Sequence, residues 1–333
     1  MKCKHNICFF LAILIVLFTL FLNISKGSGS YPKEVRRGYL LDRSGEPLVI
    51  NKESFQGYLI VRGKSLLGKE IPEELKPYLP PYFELPSKGL VPISENLTFE
   101  EAQKLSKIKD VVVRGEIRRT LLFRELRPLL GIASGSEGIS GVEKAFNERL
   151  KKGESLTLSL DLNICKKIYN NAKHYTSLFP RNLAIFKKDT GELLAFYSEE
   201  EKNFLAESFL IRESDFPFKL EEVNWELEAP TLKREGSALR VTPLHLVQAL
   251  LSDYCGAKVS PTLILRKENT CKKSATSQEP LFLFLPQKGE WLYFLPKENT
   301  LYVFSGTLTE EERGENFSWD KFKKNLNYLA GLF

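Results

Sequence analysis

Serine and lysine in the spacing Ser-x-x-Lys are the pairing in this chain best suited to covalent chemistry. On a helix the two side chains stand one turn apart on one face, so the amine can take the hydroxyl proton as the oxygen attacks a carbonyl. Two of the string's occurrences are Ser106-Lys107-Ile108-Lys109 and Ser318-Trp319-Asp320-Lys321. Four-residue patterns arise readily by chance, and both are expected to be solvated helix faces. Other chemistries have less support. The sequence contains no G-x-S-x-G, H-E-x-x-H or G-x-x-x-x-G-K-[ST] string. His174 and His245 have no partner at ligand spacing, and the five cysteines form no C-x-x-C pair. The expectation is therefore no metal, no cofactor and no disulfide framework.

The elements that would hold such a site follow an apolar run. Ile7 to Leu22 carries neither charge nor helix breaker. At about 1.5 Å per residue, roughly 20 apolar residues cross a bilayer, so this run predicts a single membrane anchor. Lys2 and Lys4 at its leading edge place the N-terminus in the cytoplasm. NISKGSGS follows instead of a small-residue cleavage site, so the anchor reads as uncleaved, with Ser25–Ser30 as a tether. The 333 residues leave room for two modest domains beyond it. At 43% apolar and 11% aromatic the composition is that of a folded chain and excludes general disorder. The net charge of +6 is spread without a basic block, which argues against a nucleic-acid partner.

Arg37 to Leu48, RGYLLDRSGEPL, reads as strand, tight turn and strand, with Ser44-Gly45 supplying the turn. Ser54–Gly63 predicts another strand, Lys69–Leu79 a helix, and Leu97–Ile108 a helix whose Thr98 and Glu101 stand in capping-box register. Asp110–Leu121 returns as a strand. Gly138–Leu150 predicts a Gly-hinged helix start. Asn182–Ser198 is a hairpin around Asp189-Thr190-Gly191-Glu192. Thr242-Pro243 opens an apolar helix, and Lys288-Gly289-Glu290 turns LFLFLP into WLYFLP. The fold class is α+β.

Several of these segments, in order and at spacing, resemble class B penicillin-binding proteins, the bitopic D,D-transpeptidases of the bacterial cell wall. Arg37, Gly38, Asp42, Arg43 and Gly45 match the signature R-G-x-[IL]-x-D-R-x-G that opens the family's stalk. Gly138, Gly141 and Glu143 match the element at the junction of stalk and catalytic domain, and Thr242 and Pro243 match a V-T-P helix start. Trp291–Leu308 resembles the family's closing pair of strands. His245 stands where relatives carry Gln, which implies a hydrogen-bonding role and not catalysis. The likeness runs from about Val35 to Leu308. It implies an anchor and tether at 1–30, a stalk or dimerisation domain at 31–150 and a shortened transpeptidase-like domain at 151–333, with a mainly antiparallel sheet flanked by helices. It also implies a single-pass protein of the inner membrane with a periplasmic ectodomain. The implied partners are the lipid bilayer, divisome or other peptidoglycan-synthesis proteins including a polytopic glycosyltransferase, and a second copy in a homodimer.

The family's chemistry needs S-x-x-K, S-x-N and K-[ST]-G-T around one cleft. The alignment puts Phe216 in the nucleophile's position and Lys219 in the lysine's. Ser94-Glu95-Asn96 matches the second motif only inside the stalk, and Lys273-Ser274-Ala275-Thr276 resembles the third with alanine for glycine. The resemblance therefore implies a pseudoenzyme that scaffolds or regulates. The alternative is a working transpeptidase that uses Ser208 or Ser214 as nucleophile with Lys219 as base.

Overall fold

Leu40–Leu41 (β1) and Pro47–Val61 (β2) pair antiparallel around a turn in which Gly45 takes φ +90°. Asp42 builds that turn. One of its carboxylate oxygens accepts the N–H groups of Ser44 and Glu46, both at 2.8 Å, and the Ser44 hydroxyl at 2.7 Å. The computed structural model describes residues 36–61, 73–79, 88–174, 180–200, 202–212, 214, 216–266, 271, 279–285, 289–308 and 318–333. The expected anchor and tether lie outside these. Among the described residues no helix is long and apolar enough to cross a membrane.

β2 is the hub of the first sheet. One edge carries Val111–Leu121 (β4), in register from Val49↔Leu121 to Leu59↔Val111. The other edge pairs with β1 near the start of β2 and with Gly89–Leu97 (β3) near its end. Between β3 and β4, helix α1 (Phe99–Leu105) opens with the expected capping box: Thr98 N–H donates to Glu101 at 2.8 Å and Glu101 N–H donates to the Thr98 hydroxyl at 3.2 Å. Ala102 and Leu105 of α1 pack on Leu59, Val61, Val91 and Ile93 in a small core of their own. Of the predicted helix at 69–79, the described part is a 3-10 helix, Glu73–Tyr78, with Pro77 inside it. Proline there lacks a donor and disfavours an α conformation at Lys76, so the turn tightens.

The chain then passes through α2 (Arg127–Leu130), the two-residue strands β5 (Ala133–Ser134) and β6 (Glu137–Gly138), α3 (Gly141–Ala145) and α4 (Asn147–Lys151). The segment read as one helix start is thus two short helices, broken at Phe146, whose φ of −108° and ψ of 23° leave the helical region. β7 (Leu156–Thr157) joins the first sheet parallel to β1. Asp161 caps α5 (Leu162–His174) by accepting N–H from Asn163 and Ile164.

The second sheet is antiparallel and, like the first, five-stranded, in the order β13-β14-β15-β8-β9, with β8 at Asn182–Lys187, β9 at Leu193–Ser198, β13 at Leu281–Leu285, β14 at Glu290–Lys297 and β15 at Thr300–Thr307. The buried stripe Cys165, Ile168, Tyr169, Ala172 faces α5 toward β9, where Tyr169 meets Tyr197 at 4.9 Å. α7 (Trp319–Ala330) covers β14 through Phe322 on Trp291. β10 (Phe209–Arg212), β12 (Ala238–Val241) and β11 (Lys233–Glu235) form a small three-stranded sheet that the sequence did not announce. α6 (Pro243–Cys255) is buried along nearly its whole length.

One expectation is overturned here. Cys255, the last residue of α6, is disulfide-bonded to Cys271. Spacing could not reveal the pair, because it depends on where the chain returns after α6. Cys165 remains free and buried, and burial pushes its thiol up to about 12.

Candidate functional site

The segment expected to carry a nucleophile runs from 216 to 232 with neither helix nor strand. Phe216 is 4% exposed, its ring edge-on to Phe218 at 5.4 Å. Lys219 faces the other way: its side chain is 85% exposed and its amine lies 2.9 Å from Glu221, whose second oxygen is 3.2 Å from Lys258. These two lysines hold the Glu221 carboxyl below its usual range. Without a helix, the one-turn spacing that would bring a serine beside Lys219 is not realised, and Ser214 is exposed. Lys273, Ser274 and Thr276 lie outside the described residues.

The Ser-x-x-Lys strings at Ser106 and Ser318 have local explanations. Ser106 is the C-cap of α1, with its hydroxyl on the Gln103 carbonyl at 2.9 Å. Ser318 is the N-cap of α7 and accepts from Lys321 N–H at 3.3 Å. Ser94 lies on β3 of the first sheet.

A small cleft of about 80 Å³, open to solvent, lies at one end of the second sheet. Its floor is a polar ladder across adjacent strands: the Ser198 hydroxyl donates to Asn182 Oδ1 at 2.7 Å, and Asn182 Nδ2 donates to the Ser305 hydroxyl at 3.0 Å. At the rim, Arg181 and Lys202 share the Glu200 carboxylate, each at 3.2 Å. Ser208 lines this cleft and Lys219 does not. Fixed hydroxyl and amide groups beside apolar walls suit binding of a neutral polar group. The sequence reading did not anticipate the ladder, whose members come from three separate strands.

Arg37 and Glu143, singled out in the sequence, converge on a second, buried site. Arg37 Nε donates to Glu143 Oε2 at 2.7 Å, and its remaining nitrogens reach the Glu143 and Ser136 carbonyls and Asn147. Arg119 Nε donates to the other Glu143 oxygen at 2.8 Å. Burial draws the Arg119 guanidinium below its ordinary value despite Glu143 beside it. Arg119 was missed in the sequence, where its only mark was a place on a predicted strand. A Cβ on Gly38 would lie 1.9 Å from the Glu154 carbonyl oxygen, and one on Gly138 equally close to that of Glu143, so only glycine lets these backbones meet. Gly141 is the first residue of α3, at φ +56°. Arg43 lies 3.6 Å from buried Glu192 of the β8–β9 turn, tying the first hairpin to the second sheet.

With this geometry in place, comparison with solved structures is informative. A chain in the complex between a penicillin-binding protein (PBP2) and MreC from Helicobacter pylori superposes with a TM-score of 0.57 at 14% identity, over 89% of this chain and 97% of that one. PBP2 from Helicobacter pylori gives 0.55 at 12% identity, over 89% and 98%. The chain has a penicillin-binding-protein-like fold. No protein-family model matches the sequence, and no curated protein matches it either.

In this penicillin-binding-protein-like fold Thr242 and Pro243 open α6, and His245 closes the cap. His245 Nδ1 accepts from Thr242 N–H at 3.1 Å and lies 2.8 Å from the Thr242 hydroxyl. The residue at this position has the hydrogen-bonding role expected of it, turned inward to the helix start.

Proposed function

We propose that this chain is a membrane-anchored factor of the class B penicillin-binding-protein type, working in bacterial peptidoglycan synthesis for division or elongation without forming an acyl-serine. In this reading residues 1–30 anchor and tether it to the cytoplasmic membrane, 31–150 form a stalk, and 151–333 form a shortened transpeptidase-like domain in the periplasm. The observation that carries the reading is the buried ring of Phe216, the residue that the sequence resemblance aligns with the nucleophile, while Lys219 pairs with Glu221 at the surface. A phenyl ring has no lone pair to attack a carbonyl, and an ammonium held by a carboxylate is a poor base. The disulfide between Cys255 and Cys271 fits an oxidising compartment. The chain then acts by holding partners: a polytopic glycosyltransferase, or a second copy through the stalk. One of the similar structures is a complex of PBP2 with MreC, which supports a role in assembly.

The deciding experiment treats membranes carrying the full chain with a fluorescent penicillin. No labelled band and an unchanged intact mass are expected. An adduct mapped to one serine overturns the reading. Ser208 favours the second reading, an active D,D-transpeptidase, because it lines the cleft; label lost in Ser208→Ala would establish it.

A further inference from the structure

We propose that His245 is a proton-operated coupling between the first turn of α6 and the 216–232 segment, holding Thr242 when neutral and Glu222 when charged. Nδ1 of His245 is an acceptor, because Thr242 N–H points at it from 3.1 Å. The ring proton therefore sits on Nε2, the tautomer this hydrogen-bond arrangement requires. Nε2 is buried without a hydrogen-bond partner and lies 3.9 Å from Glu222 Oε2. That distance is too long for a hydrogen bond but close enough for attraction to a cation, moderated by the solvent exposure of Glu222.

Glu222 is itself engaged in closing the segment. Its carboxylate accepts Leu232 N–H at 3.2 Å, and its backbone carbonyl accepts Gln248 Nε2 of α6 at 3.0 Å. Among the described residues it is the charged group facing His245. Glu221 beside it is taken by Lys219 and Lys258. A second proton on His245 must go to Nδ1, where it opposes Thr242 N–H and strips a buried donor of its acceptor, leaving Nδ1 only the Thr242 hydroxyl oxygen at 2.8 Å to donate to. The same proton charges the ring, and Glu222 can then close on Nε2 at the expense of Leu232. Protonation thus exchanges one set of partners for another across a single imidazole. Burial, with the helix N-terminus beside it, holds the ring below its ordinary value of 6.5, while Glu222 opposes that shift.

Hydrogen exchange followed by mass spectrometry on the full chain tests this. Protection at Thr242 and at Leu232, corrected for intrinsic rates, is expected to be constant near neutrality. As pH falls below the ring's value in the opened state it should drop by up to about tenfold per pH unit, the slope of one proton, and level off once pH is below the ring's depressed folded value. His245→Gln keeps a capping box without a titrating group and should give a flat profile. Glu222→Gln, on a half-exposed side chain, leaves the cap intact and should move the loss to lower pH. A flat wild-type profile, an H245Q profile that falls like wild type, or an E222Q profile that superimposes on wild type overturns the proposal.

Discussion

Arg37 and Glu143 stand 106 residues apart in the chain yet share a buried hydrogen bond of 2.7 Å, and Arg119 takes the other carboxylate oxygen at 2.8 Å. One carboxylate thus joins three places in the chain: the residue entering β1, a residue near the end of β4, and α3. Two guanidiniums around one carboxylate leave an excess positive charge away from water. Such an arrangement holds only because Ser136, Asn147 and Asn51 supply further oxygens.

Glu143→Gln should be strongly destabilising. It keeps the shape but removes the charge both guanidiniums need, and breaking a buried ion pair from one side costs about 3–5 kcal/mol. Urea denaturation should show a lower midpoint with an unchanged slope. Arg37→Lys should also lose stability, because a lysine cannot reproduce the fork that contacts Glu143 twice.

Asp42 sets an acid limit on stability. Burial raises its carboxyl, but bonds from Ser44, Glu46 and Leu162 outweigh that and leave it below its ordinary value. Because the folded value lies under the unfolded one, its contribution is complete above about pH 4–5. It is then lost as pH falls through the depressed folded value. Asp42→Asn should cost about 1.5–3 kcal/mol at neutral pH, the range for hydrogen bonds to a charged group. The gap between variant and wild type, measured by urea unfolding across pH, should narrow only in acid.

How much of this was legible depends on the range of the interaction. The Arg37–Leu48 hairpin and the α1 cap were readable because turn residue, cap residue and apolar period all lie within a few positions of one another. The pairing of β14 with β15 was expected only through the family resemblance of Trp291–Leu308. The Glu143 cluster was half readable: Arg37 and Glu143 were marked by motif, but Arg119 looked like any basic residue on a strand. β10 to β12 went unseen because strands of three and four residues carry too little alternation to register. The disulfide escaped because it depends on the return of the chain after α6.

Reduction of the Cys255–Cys271 bond should lower the melting temperature. The cysteines are 16 residues apart, and closing a loop of that size restrains the unfolded chain by about 3 kcal/mol. A double Cys255→Ser, Cys271→Ser variant should melt at the lower temperature with or without reductant. Buried Cys165 should stay unreactive to alkylating reagents in the folded protein under both conditions, as a thiol pushed so high carries almost no thiolate.

Phe216→Ser separates a missing hydroxyl from a missing site. If the nucleophile alone were lost, this substitution would restore labelling by a fluorescent penicillin. The geometry predicts that it does not. Lys219 points into solvent toward Glu221, and 216–232 lacks the helix that would set a serine and a lysine one turn apart. The ring's present role is packing, so Phe216→Ala should cost about 3–5 kcal/mol, the usual cost of emptying a buried aromatic position. Lys219→Ala should leave the unfolding midpoint where it is. A labelled F216S protein whose label disappears in the F216S/K219A double variant would show that the lysine can still reach a nucleophile, and the site would then be intact but for one side chain.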